Sequence, residues 1–188
     1  VGEVNLIFVV TGPSGVGKST IYEQILSTLG HCLKKSLSAT TRDPRPGEEH
    51  GVDYLFVTQE QFDADKDALF LEHAGVFGRS YGTYASTVDK ILETHSVLMD
   101  LDIQGHRSVR KLRPESIHIF IKPPSLEVLR ERLEGRGDPQ DIIDRRMSEA
   151  QEIMDVSYEF DYVILNDDLN TAVMAILGIM LAELEGLL

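Results

Sequence analysis

The chain has 188 residues, 42% of them hydrophobic and 26% charged, without a low-complexity tract. Such a composition excludes disorder as the default and leaves room for one ordinary domain with a full core. A formal net charge of -13 argues against nucleic acid or an anionic membrane as a partner, so any phosphate site must be built locally.

The single cysteine, Cys32, rules out an intramolecular disulfide and points to a reducing compartment, the cytoplasm. It reads as a small buried apolar residue. No basic segment with a cleavage site opens the chain, so no secretion leader is expected. The apolar stretch 172–182 falls short of the about 20 residues a bilayer requires and reads as a buried core helix.

In chain order, the unbroken apolar run 4–10 predicts a strand covered on both faces. Gly12-Pro13-Ser14-Gly15-Val16-Gly17-Lys18-Ser19-Thr20 follows directly, with two glycines bracketing four residues before Lys and Ser, and a helix expected over 19–29. This is the phosphate-loop pattern in its strand-loop-helix setting. The glycines let backbone N–H groups converge on one anion, the helix adds its positive dipole end, and Lys18 reaches the outer phosphates. Ser19 offers a hydroxyl to magnesium. Gly30 is expected to end the helix in the left-handed conformation.

Residues 36–54 are polar and rich in Pro and Gly, and prolines 44 and 46 predict an ordered loop or sheet edge. A short strand is expected at 55–57, and Thr58 with Gln61 makes a capping box for the next helix. A strand at 69–76, a glycine-punctuated turn at 77–83 and a helix at 85–95 follow. Regular β-α alternation resumes with a strand at 96–101, a helix to 112, a strand at 116–121 and a helix from Pro123 to 133. Gly135 and Gly137 break that helix, and Asp138 and Pro139 are expected at the cap and first turn of the next, which reaches 155. A strand at 160–165, the loop Asn166-Asp167-Asp168 and an apolar helix close the chain. The pattern predicts a three-layer, mostly parallel α/β fold interrupted from about 34 to 95 by an inserted mixed lobe.

Other charged groups must name the substrate. Arg42 and Arg45 lie in the proline-pinned loop, either as solvated surface charges or with both forks facing one phosphate. Arg132 and Arg136 are four apart at a helix end, hence on one face, beside glycines that suit a moving flap; Arg145 and Arg146 follow. Their alternative is ion pairing with Glu131, Glu134, Asp141 and Asp144. Arg107, Arg110, Lys111 and Arg113 read as a solvated helix face. Glu72 and Asp102 are carboxylates suited to the N–H edge of a purine bearing an amino group, or are ordinary ion-pair partners. Asp100, at the end of an apolar strand, is placed to meet a metal or its waters.

These segments, with Ser36 to Glu48, Gly51-Val52-Asp53-Tyr54, Phe70-Leu71-Glu72, Tyr81-Gly82-Thr83, Asp100 to Gly105, Arg132 to Gly137 and Phe160 to Asp167, occur in an order that resembles the guanylate kinase family over nearly the whole chain. The resemblance implies a phosphate-loop nucleoside monophosphate kinase converting ATP and GMP to ADP and GDP with Mg2+, dGMP being a second acceptor, as a monomer or weak dimer in the cytoplasm. It implies that Arg42, Arg45, Tyr54 and Tyr81 hold the GMP phosphate, and that Ser38, Glu72, Thr83 and Asp102, with Gly82 between two of the matched positions, form the guanine site. Lys18, Arg132, Arg136 and Arg146 would act on the transferring group, Asn166 would lie near adenine, and Ser19 and Asp100 would serve the metal. The implied layout is a core of about 1–33, 96–126 and 156–188, a GMP-binding lobe of about 34–95 and a helical lid of about 127–155.

The chain departs from the family pattern at His50, at Arg79-Ser80, and in a lid one residue short, which leaves Arg145 or Arg146 as the lid arginine. Two competing readings are a guanylate-kinase-like module that binds protein without turnover and a phosphate-loop kinase with another acceptor. The intact Lys18 and Ser19 weigh against the first, Ser38 with Glu72 against the second.

Overall fold

The computed structural model describes residues 5–76 and 78–186. The chain divides into two compact units, one made of 8–31 and 117–188, the other of 5–7 and 32–116.

The first unit is a parallel α/β layer. Strand β1 (Ile7–Thr11), whose residues 8–11 belong to this unit, is buried throughout and pairs in parallel with β8 (Ile117–Lys122), Phe8 opposite Ile117 and Thr11 opposite Phe120. β8 pairs in parallel with β9 (Tyr162–Leu165). Unbroken apolar runs form central strands because both faces are covered, and Phe8, Ile119, Phe120 and Ile121 are fully buried, each contributing about 1.5–3 kcal/mol of burial. Among the described residues this unit holds the α-helices α1 (Lys18–Leu29), α5 (Leu126–Glu134), α6 (Gln140–Asp155) and α7 (Leu169–Leu184), with a 3-10 turn at Ser157–Glu159. Ser125 and Asp168 cap α5 and α7, each accepting from the backbone N–H three residues on. The helix expected at 172–182 is α7, but only one stripe is buried, Ala172, Val173, Ile176, Leu177 and Met180, while Met174 and Leu181 are exposed.

In the second unit, β2 (Leu33–Lys35) pairs in parallel with β7 (Ser96–Asp100), and the lead-in carbonyl of Leu6 accepts from the Val97 N–H. A four-stranded sheet runs β4 (Leu55–Phe56), β3 (Ala39–Thr40), β6 (Arg79–Tyr84), β5 (Phe70–Val76). Helices α2 (Gln59–Asp65), α3 (Ala85–Leu92) and α4 (Ile103–Leu112) complete it. The capping box of α2 forms as expected, with Thr58 Oγ1 accepting from Gln61 N and Gln61 Oε1 from Thr58 N.

Several expectations are corrected. Residues 79–83 are strand, not turn: the alternation of β6 against β5, with Glu72 opposite Thr83 and Ala74 opposite Tyr81, outweighs the glycine signal at Gly82. Gly82 is there because a Cβ would lie 2.9 Å from the Phe70 ring and 3.0 Å from the Glu72 carbonyl. Phe77 lies outside the described residues, as does Val4 of the first strand. Gly30 is right-handed, at φ -60°. Pro139, not Asp138, occupies the cap position of α6, and it offers no side-chain acceptor. Cys32 is half-buried rather than buried. The helix α3 stops at Leu92, before the expected 95. No described helix is long and apolar enough to cross a membrane.

Candidate active site

The first unit carries the phosphate loop. β1 ends at Thr11, and Gly12 follows where a Cβ would stand 2.6 Å from the Ile121 carbonyl oxygen. Gly15 and Gly17 adopt φ of +89° and +104°, values that L side chains resist. The loop folds on itself through Val16 N–H to Pro13 O, and α1 begins with Ile21 N–H to Gly17 O. The N–H groups of the first turn of α1 have no intrahelical acceptors, and no acidic residue stands in that turn. An anion is the natural complement. Lys18 Nζ donates to the carbonyls of Gly12 at 2.6 Å and Pro13 at 3.3 Å, which arches its stem over the loop. Ser19 and Thr20 are exposed.

A brace not apparent from spacing holds this loop from behind. Asn166 Nδ2 donates to the Val16 carbonyl at 2.7 Å, Arg132 Nη1 donates to the same carbonyl at 3.4 Å, and Arg132 Nη2 donates to the Asn166 carbonyl at 3.1 Å. Asn166 is buried, and its Oδ1 has no protein partner among the described residues. The helix face expected to carry both Arg132 and Arg136 is not formed. The helix α5 ends at Glu134 and Gly137 turns the chain at φ +76°, so Arg136 stands exposed beyond it. Arg146 pairs with Asp138, and the two are half-buried. Arg145 is exposed. Of the acidic residues named as alternatives, Asp144 pairs with an arginine outside the expected set, Arg130, at 3.0 Å between α5 and α6.

The second unit gathers the remaining residues. Glu72 on β5 is 5% exposed and faces Thr83 across the β5–β6 pair, and Thr83 Oγ1 lies 3.2 Å from Ser38 Oγ. Burial pushes the Glu72 carboxyl up to about 7; the Asp102 charge acts in the same direction, and the Thr83 hydroxyl and N–H oppose it. A buried carboxylate without a cation partner among the described residues suits a ligand that brings N–H donors. Asp102 caps α4: its Oδ1 accepts from Gly105 N–H at 2.8 Å, and Oδ2 accepts from Gln104 at 3.4 Å. Asp100 is exposed at the end of β7.

Arg42 sits beneath two rings, its guanidinium carbon 5.2 Å from the Tyr54 centroid and 5.7 Å from that of Phe56. Tyr54 meets Tyr81 edge-on at 6.2 Å. Burial, then the Asp100 charge, raises the Tyr54 hydroxyl above its ordinary range, so it remains a donor at neutral pH. Glu48 joins Arg42 through two parallel bonds, Nη1 to Oε2 at 2.8 Å and Nη2 to Oε1 at 2.9 Å, and accepts the Arg45 N–H at 2.7 Å. The guanidinium holds the Glu48 carboxyl down at about 2. Arg45 itself is exposed. Residue spacing gives Glu48 no role of its own; the left-handed turn at Gly47, φ +88°, folds the next residue back toward Arg42.

Comparison with known proteins gives the family. The family model described as guanylate kinase matches residues 5–183. The chain is 42% identical over 182 residues to a guanylate kinase of Hydrogenovibrio crunogenus, covering 94% of this chain and 87% of that protein. It is 43% identical over 181 residues to one of Idiomarina loihiensis, covering 94% and 86%. The crystal structure of a guanylate kinase from Anaplasma phagocytophilum superposes with a TM-score of 0.80 at 31% identity, covering 97% of this chain and 88% of that one. The mostly parallel α/β phosphate-loop fold is therefore shared along with the sequence. With a family match over residues 5–183 and relatives above 40% identity over 94% of its length, the chain belongs to the guanylate kinase family.

Proposed function

We propose that the chain transfers the γ-phosphoryl group of ATP to GMP, giving ADP and GDP, and that dGMP is a second acceptor. The reading rests on the buried carboxylate of Glu72 beside the Ser38–Thr83 hydroxyl pair, in a unit other than the one carrying the phosphate loop. Glu72 would accept from the N–H edge of guanine. A base without those donors leaves the carboxylate buried and unpaired, a penalty of about 1–3 kcal/mol or more. Arg42, Arg45, Tyr54 and Tyr81 would hold the acceptor's phosphate, and Asp102 would assist at the base. The loop from Gly12 to Thr20 would hold the triphosphate, with Asn166 near adenine. Lys18, Arg132, Arg136 and Arg146 would neutralise charge on the transferring group. The acceptor atom is already a phosphate oxygen, so no general base is required, and catalysis is positioning plus electrostatics. Residues 34–95 serve in this reading as the GMP-binding lobe and 127–155 as the lid.

We propose magnesium as the ion that accompanies ATP. It binds proteins through one or two oxygens when phosphates and waters supply the rest. The Ser19 hydroxyl and the Asp100 carboxylate, both exposed, are the oxygens that would serve it, and no cluster of three or more His, Cys, Asp or Glu suited to a metal occurs among the described residues. When bound with ATP, the ion supplies charge neutralisation at the phosphates. We place the reaction in the cytoplasm, with the protein a monomer or weak dimer and neither nucleic acid nor membrane as partner.

Titration calorimetry tests the assignment of sites. ATP and GMP each release heat with the wild-type protein, Lys18→Ala loses the ATP response alone, and Glu72→Gln loses the GMP response alone. Loss of both responses in either variant contradicts two separate sites.

A further inference from the structure

A guanidinium has five N–H donors in one plane. In Arg42 three are engaged: Nη1 donates to Glu48 Oε2 and to the Asp43 carbonyl at 2.7 Å, and Nη2 donates to Glu48 Oε1. A carboxylate that bonds Nη1 and Nη2 together occupies the end of the fork, and the Asp43 carbonyl takes the outer Nη1 hydrogen. The two donors left are Nε–H and the second Nη2–H. These lie side by side along one edge of the plane, a second site for a bidentate oxyanion. Nε is buried and has no hydrogen-bond partner among the described residues. The Tyr81 hydroxyl lies near enough to the guanidinium to favour its charged form, after the larger effect of Glu48.

We infer that Glu48 is a positioning residue for the acceptor phosphate, holding the plane of Arg42 so that its Nε/Nη2 edge is presented to the phosphate oxygens. This rests on the reading of Arg42 as a GMP-phosphate ligand. The carboxylate does not itself touch the phosphate; two anions at one place would repel. It also ties the Arg45 backbone to the same carboxylate, so one side chain sets both the rotation of Arg42 and the path of the loop that carries Arg45. The rings of Tyr54 and Phe56 restrict the guanidinium from its faces, and Glu48 restricts it in its own plane. The opposite possibility is that Glu48 competes with phosphate for the arginine, and the two differ in sign.

The test uses Glu48→Ala and Glu48→Gln in the full chain, each checked for an unchanged melting curve. Positioning predicts that KM for GMP rises by about 10-fold or more in Glu48→Ala, with KM for ATP within about 2-fold. Guanosine, which lacks the phosphate, binds wild type and variants alike. An unchanged or lower KM for GMP overturns the proposal, the lower value identifying Glu48 as a competitor. A second readout needs no turnover: the Nη hydrogens of Arg42 give separate NMR signals in the wild type, because the bidentate pair hinders rotation, and these merge in Glu48→Gln. Separate signals persisting in that variant also overturn it. A wild-type protein that fails to phosphorylate GMP counts against the proposed function, whereas the Arg42 signals report on Glu48 alone.

Discussion

The Cα of Gly105, in the first turn of α4, packs so closely against Glu72 that a Cβ at 105 would lie 2.9 Å from Glu72 Oε2 and 3.2 Å from Leu101 Cβ. The strand that carries the buried carboxylate and the helix capped by Asp102 are thereby fitted to each other. Gly105→Ala leaves the backbone of α4 undisturbed, since alanine is the better helix former, but pushes the carboxylate out of its place. We expect KM for GMP to rise by roughly 5- to 100-fold, the equivalent of about 1–3 kcal/mol, with KM for ATP unchanged. Steady-state kinetics with each nucleotide varied in turn decides it; equal losses for both nucleotides would point to a general structural defect.

Glu72 also sets a pH dependence of defined sign. Burial raises its carboxyl from 4.5 to about 7, so between those values the folded protein holds a proton that the unfolded chain has released. The group's contribution to stability is full below about 4.5 and is lost as pH rises through about 7. Guanine needs the ionised form. GMP affinity should therefore be highest above pH 7 and fall up to about tenfold per unit below it. Glu72→Gln should abolish this dependence, bind GMP poorly, and melt higher than wild type at pH 8. A wild-type affinity for GMP that is flat from pH 6 to 8 contradicts the assignment.

The brace behind the phosphate loop predicts a selective effect on the donor nucleotide. Asn166→Ala removes the bond to the Val16 carbonyl and should raise KM for ATP several-fold, a loss of about 0.5–1.5 kcal/mol, with GMP binding intact. Gly17→Ala should be more severe: φ is +104° and the new Cβ would meet Asn166 Nδ2 at 2.8 Å. Backbone strain of about 1–3 kcal/mol then adds to a displaced loop. Fluorescent ATP-analogue binding and thermal denaturation together separate the two contributions.

The parts of the molecule that local physics dictates were legible in the amino-acid order. The phosphate loop is a run of glycines whose conformations the backbone requires, the Thr58–Gln61 box closes within one turn, and the apolar runs of β1 and β7 became buried parallel strands. What escaped notice depends on partners distant in sequence or on competition between signals. Gly82 read as a turn residue because its reason for being glycine is the ring of Phe70 on the neighbouring strand. Asp138 read as a helix cap, whereas its carboxylate pairs with Arg146 eight residues on. Arg132 was expected to share a helix face with Arg136, but its donors reach Val16 and Asn166, 116 and 34 residues away in the chain. Glu48 was passed over because only the fold shows which donors of Arg42 it occupies and which it leaves.

The most direct measurement is ADP release by the purified chain with ATP and Mg2+, supplied in turn with GMP, dGMP, AMP, CMP and UMP, and repeated with Lys18→Ala. Turnover with GMP and dGMP about 100-fold or more above the other three acceptors, and lost in the variant, is the predicted result. Comparable rates with AMP and GMP, or no nucleotide-dependent ADP release by the wild-type chain, would contradict it.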